Sequence, residues 1–154
     1  MNTKIRAVTQ SDIEELKLVI DSSELFPSEY LDDMIADYFN NPDTQDIWFT
    51  YTENNKLIAI GYCIPEKFTI GTYNLLAIGV IKGAQRNGVA TEMMHYLEHH
   101  LKLKEGRILI VETSSDDAQI GARKLYAKIG FTQVAEIKDF WNQGEDKIIF
   151  WKKL

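Results

Sequence analysis

The stretch TYNLLAIGV, residues 72–80, is apolar on both faces of any strand it forms, and it runs unbroken into IKGAQRNGVATEMM. A strand buried on both sides needs a neighbour along each edge and a layer over each face, which excludes a helical bundle and points to a sheet covered on both sides. Beyond the turn, Ala90, Met93, Met94, Leu97 and Leu101 recur at i, i+3, i+4, i+7 and i+11, the apolar stripe of an amphipathic helix. GRILIVETS then reads as a second strand, so the middle of the chain is a βαβ unit.

The flanking segments extend this core. KIRAV alternates as a short first strand, and Ser11 with Glu14 three residues on predicts a capping box opening a helix to about Asp21. Pro27 and Ser28 open a second helical stretch that NNPD stops. DIWFTYT and KLIAIGYCI read as a hairpin, because Asn54 and Asn55 between them tolerate positive φ. DAQIGARKLYAKIG reads as a helix closed by Gly130, and FTQVAEI and DKIIFWKKL as the last two strands. The order β-α-α-β-β-β-α-β-α-β-β predicts an α+β (α/β-like) chain, and with 154 residues and no linker, repeat or low-complexity run, a single domain over 1–154.

Charge narrows the partners. The formal net charge is −6 and no Lys/Arg stripe is present, so no nucleic-acid partner is expected. No window approaches the ~18 apolar residues of a membrane span, and the N-terminus has no apolar h-region. The single cysteine, Cys63, lies in an apolar run and reads as a core thiol, so a cytoplasmic location is expected. His95 and His99 are four apart, but they fall opposite the apolar stripe with no further ligand indicated, so no metal is expected.

The turn between strand and helix holds Gly83, Gln85, Arg86, Asn87, Gly88 and Ala90. A helix N-terminus offers unpaired N–H groups and partial positive charge, glycine allows close approach, and arginine pairs with phosphate oxygens, so the turn suits an anion. The Walker and dinucleotide spellings are both absent. QRNGVA instead resembles the Q/R-x-x-G-x-G/A signature of the GCN5-related N-acetyltransferases (GNAT), with Ala90 where many members have Gly. ARKLYAKIGF, with Ala122, Leu125, Tyr126, Gly130 and Phe131, is similar to the family's A-x-x-(L/F)-Y-x-x-x-G-F segment, and IRAVTQSDIEEL resembles its usual opening.

The resemblance implies the GNAT fold: a mixed, mostly antiparallel sheet of six to seven strands, with about four helices on both faces. It implies an N-acetyltransferase that moves an acetyl group from acetyl-CoA to a primary amine of a small molecule, amino acid or peptide N-terminus. The pantetheine arm would lie along Ile78, Gly79 and Val80, with the Val80 N–H an oxyanion donor. The pyrophosphate would sit on Gln85, Arg86, Asn87, Gly88, Val89, Ala90 and Thr91, and Gln119 is carried over as a further cofactor contact. Tyr126 matches the family's general acid, since a phenol is suited to protonating a thiolate. NLLAIGV lacks the carboxylate many members have there, so Glu112 is the candidate base, raised in pKa by partial burial, with a structural carboxylate or a water chain as alternatives. Asp139, Phe140, Trp141, Glu145 and Asp146 cluster in a hairpin that suits an amine. A non-catalytic acyl-CoA-binding module is the rival reading, and the apolar IIFW segment suggests an edge for a homodimer.

Overall fold

The computed structural model describes residues 3–154. Seven strands, β1 (Ile5–Ala7), β2 (Ile47–Glu53), β3 (Lys56–Pro65), β4 (Thr72–Val80), β5 (Ile108–Ser114), β6 (Thr132–Asn142) and β7 (Glu145–Lys153), form a sheet ordered β1-β2-β3-β4-β5-β7-β6. Four helices accompany them: α1 (Ile13–Ser23), α2 (Leu31–Asn40), α3 (Val89–Leu103) and α4 (Ile120–Lys128). β4 and β5 are parallel, as a βαβ unit requires, and the remaining pairs described are antiparallel. The chain divides into two compact units, Met1–Ile64 with Leu76–His99, and Pro65–Leu75 with His100–Leu154.

In the first unit the pleat of β2 sorts its side chains by period two. Trp48 joins Leu16, Val19, Ile20, Leu31 and Ile35 in a core under α1 and α2, while its neighbour Phe49 stacks on Tyr96 of α3 at 5.6 Å. Helices therefore cover both faces here. Asn54 and Asn55 adopt φ of 51° and 61° and turn β2 into β3, as their side chains allow. The expected Ser11–Glu14 capping box does not form. The Thr9 N–H donates to Asp12 Oδ2 at 2.8 Å instead, because Arg6 on β1 grips both Asp12 oxygens at 2.7 and 3.0 Å and draws that carboxylate to the helix start.

In the second unit α4 ends at Gly130, whose φ of 99° permits the stop. β6 runs on through KDFW to Asn142, beyond the FTQVAEI expected for it, and the hairpin turns at Gln143 and Gly144, with Gly144 at φ 79°. The IIFW segment is not an edge: β7 is paired along one side by β5 and along the other by β6. β6 ends the strand order, exposed along its whole length.

Candidate functional site

β4 brings its C-terminal half to the turn. Its recorded ladder with β5 runs from Thr72 opposite Ile108 to Leu75 opposite Val111 and ends there. Leu76 beyond it is 42% exposed, and Ala77 and Ile78 are half-buried. Gly79 is buried against the end of α1, where an added Cβ would stand 2.7 Å from Ser23 Oγ and would have to displace that side chain. Val80 is buried at the strand's end, and Gln85 reaches back to donate to its carbonyl at 2.9 Å. The Gln85 side chain thus ties the turn to the strand.

From Gln85 to Gly88 the turn is exposed. Arg86 and Gly88 hold φ of 66° and 83°, and a Cβ on Gly88 would meet nothing within 4 Å. Among the described residues the N–H groups of Arg86, Asn87, Gly88, Val89, Ala90 and Thr91 form no hydrogen bond, and the first to do so is Glu92, to Gly88 O at 3.0 Å. The dipole of the 15-residue α3 adds partial positive charge where these N–H groups stand. Unpaired donors at a helix start suit an anion, and the residues present fit a pyrophosphate. His95 and His99 lie on the exposed side of α3, and no group of three or more metal-binding side chains occurs among the described residues.

In the second unit Tyr126 is buried on α4 with its ring 5.5 Å from Phe150 and 5.9 Å from Phe131. Burial alone pushes the phenol well above its ordinary pKa, and no hydrogen bond holds the hydroxyl among the described residues. Burial thus keeps the phenol in its neutral form. Gln119 is exposed in the short turn leading into α4.

Glu112 is engaged on both oxygens. Its Oε2 pairs with Lys147 Nζ at 2.9 Å and its Oε1 accepts from Asn74 Nδ2 at 3.4 Å. Of the two readings of Glu112, a base or a structural carboxylate, these contacts favour the second. Glu112 and Tyr126 are not brought together. Val111 lies opposite Phe150 and Glu112 opposite Ile149, so the pleat turns Glu112 away from the face on which Tyr126 meets Phe150. Asn74, Glu66 and Lys147 escaped the sequence reading. The one available signal was Asn74, a lone amide in an apolar strand. Glu66 and Lys147 sit in no motif.

The chain matches the family model described as Acetyltransferase (GNAT) family over residues 13–131. It belongs to the GNAT acetyltransferase family. Among solved structures it is similar to a protein assigned to that family from Desulfovibrio desulfuricans, with 25% identity, 97% of each chain covered and a TM-score of 0.88. The ribosomal-protein-S18-alanine N-acetyltransferase from Escherichia coli shares the fold at 20% identity, with 99% of this chain and 94% of that one covered and a TM-score of 0.78. An aminoglycoside 6'-N-acetyltransferase complexed with coenzyme A does so at 15% identity, with 97% and 96% covered and a TM-score of 0.79. No curated protein matches the chain. No helix among the described residues is long and apolar enough to cross a membrane.

Proposed function

We propose that the protein is one N-acetyltransferase domain that moves an acetyl group from acetyl-CoA to a primary amine of a small molecule, amino acid or peptide N-terminus, by direct attack. The observation that carries this reading is the run of six unpaired N–H groups from Arg86 to Thr91 at the start of α3, open to solvent at Gly88. The solved relative bound to coenzyme A supports it.

Acetyl-CoA, when bound, supplies an activated thioester. The turn's N–H groups and Arg86 hold its pyrophosphate, and Ile78, Gly79 and Val80 offer backbone groups to the pantetheine, with the Val80 N–H facing the developing oxyanion. Tyr126 gives its hydroxyl proton to the departing thiolate, a role for which burial keeps it protonated. Glu112, tied to Lys147, serves in this reading as an anchor for positive charge, and solvent takes the proton of the attacking amine. We place the reaction in the cytoplasm, in keeping with the single buried thiol of Cys63.

Thiol release from acetyl-CoA across a panel of amines tests the proposal. Tyr126→Phe should lower kcat by about 100-fold, the order of a general acid's contribution, and leave the Kd for coenzyme A unchanged. Coenzyme A binding without thiol release for any amine would leave a non-catalytic acyl-CoA binder. An unaltered kcat in the variant would remove Tyr126 from the chemistry.

A further inference from the structure

Asn74 lies inside β4 with 3% of its surface exposed, and its amide is divided against itself. Nδ2 donates to Glu66 Oε1 at 2.8 Å and to Glu112 Oε1 at 3.4 Å. Oδ1 is buried and accepts nothing. Turning the amide over would set Oδ1 against two carboxylates, so this orientation is forced, and an acceptor beside the carboxylates is left in want of a donor.

The same spot already holds a cation. Lys147 Nζ reaches Glu112 Oε2 at 2.9 Å and lies 4.1 Å from the Phe140 ring centroid and 5.8 Å from that of Trp141. The two rings meet edge to face at 4.7 Å, and Trp141 is fixed by donating Nε1–H to Thr113 O at 3.3 Å. Carboxylates, π faces and a spare carbonyl-type oxygen are the surroundings an ammonium selects. Glu66 and Glu112 together carry two negative charges against the one positive charge of Lys147.

From this we infer that Glu66, Asn74, Glu112, Phe140 and Trp141 form a seat for an alkylammonium ion, in which Lys147 stands in for part of the acceptor. The inference rests on the proposed acetyl transfer and sharpens its acceptor. A reacting amine must be neutral to attack a thioester, whereas carboxylates and aromatic faces favour the charged form. The seat therefore holds an amine that does not react, and the acceptor carries two basic nitrogens. It is also narrow: the Lys147 side chain is 12% exposed where it lies in it. A slender aminoalkyl arm matches that shape, and a sugar ring does not, so the substrate class is an aliphatic di- or polyamine. The incoming ammonium exchanges with that of Lys147, and its further N–H groups reach Asn74 Oδ1.

Calorimetric titration with 1,4-diaminobutane and with butylamine, in the absence of any acyl donor, reads the seat apart from catalysis. Lys147→Met should bind 1,4-diaminobutane on the order of tenfold more tightly than wild type, since the tethered competitor is gone. Adding Glu112→Gln to that variant should abolish the gain. Lys147→Met leaves a carboxylate unpaired and can misfold, so Phe140→Leu, at a ring 47% exposed, provides a second arm. It should weaken diamine binding by roughly three- to tenfold, the range of a cation–π contact. In turnover, wild type should prefer the diamine through KM. Equal binding of diamine and butylamine, or an affinity indifferent to both Lys147→Met and Phe140→Leu, would overturn the seat. Thiol release with monoamines and no diamine preference sinks the seat while acetyl transfer stands. Diamine binding with no thiol release does the reverse.

Discussion

Gly79 carries two demands that point the same way. As part of a strand proposed to lie along pantetheine it suits close backbone approach, and its packing against Ser23 and Leu25 independently crowds out a side chain. Gly79→Ala should therefore destabilise the fold by about 1–3 kcal/mol, the cost of overpacking a tight contact, and thermal melting with coenzyme A absent reads this directly. Gly83→Ala is the control, since a Cβ there meets nothing within 4 Å and stability should change by less than about 0.5 kcal/mol. A melting temperature unmoved by Gly79→Ala would mean that Ser23 swings aside without cost. Cys63 shows the same primacy of packing: burial raises its thiol far above the ordinary range, so it is an inert core group.

At the scale of elements, the start of α1 depends on a pair that joins it to β1. The Arg6 guanidinium, with help from the Thr9 N–H and hydroxyl, holds the Asp12 carboxyl down to about 2 from an ordinary 3.8. A depressed acid contributes its stability above the unfolded-state pKa and loses it as pH falls through the folded one. The contribution here is about 2 kcal/mol, complete above roughly pH 4–5 and gone near pH 2. Asp12→Asn should remove it at neutral pH and flatten the acid limb between pH 4 and 2, as denaturant melts across that range would reveal. An acid limb as steep as wild type in the variant would mean other carboxylates dominate.

For the molecule as a whole, raised phenols predict a loss of stability on the alkaline side. Hydrogen bonding to Glu92 and burial raise Tyr51 to about 12, burial with Asp46 nearby raises Tyr62 to about 12, and burial alone raises Tyr126 further. Groups raised in the folded state stabilise fully below their unfolded pKa, near 10, and lose that stability as pH climbs through 12. Melting temperature should hold steady up to about pH 9.5 and then fall. The double substitution Tyr51→Phe and Tyr62→Phe should make that fall shallower, and an unchanged slope would assign it to other groups. A net charge of −6 suits the polyamine acceptor proposed above, since an acidic surface raises the encounter rate of a cation.

What was legible in the sequence alone is what short-range physics decides. The apolar run of β4, the stripe of α3, the asparagine turn at 54–55, the stop at Gly130 and the glycine turn around Gly88 all follow from side-chain period and backbone permission over a few residues. Only the tertiary structure could decide which distant groups meet. β7 was read as a free edge because its apolar pattern is the same whether one neighbour or two flank it, and strand order is a long-range matter. The helix cap is Thr9 with Asp12 rather than Ser11 with Glu14, and Asp12 is held there by an arginine on another element. Glu112 read equally as a base or as a structural carboxylate at the end of its strand. The partners it meets are Lys147, 35 residues along the chain, and Asn74, 38 residues before it. Sheet register placed all three on one face, and no local pattern encodes register between strands so far apart.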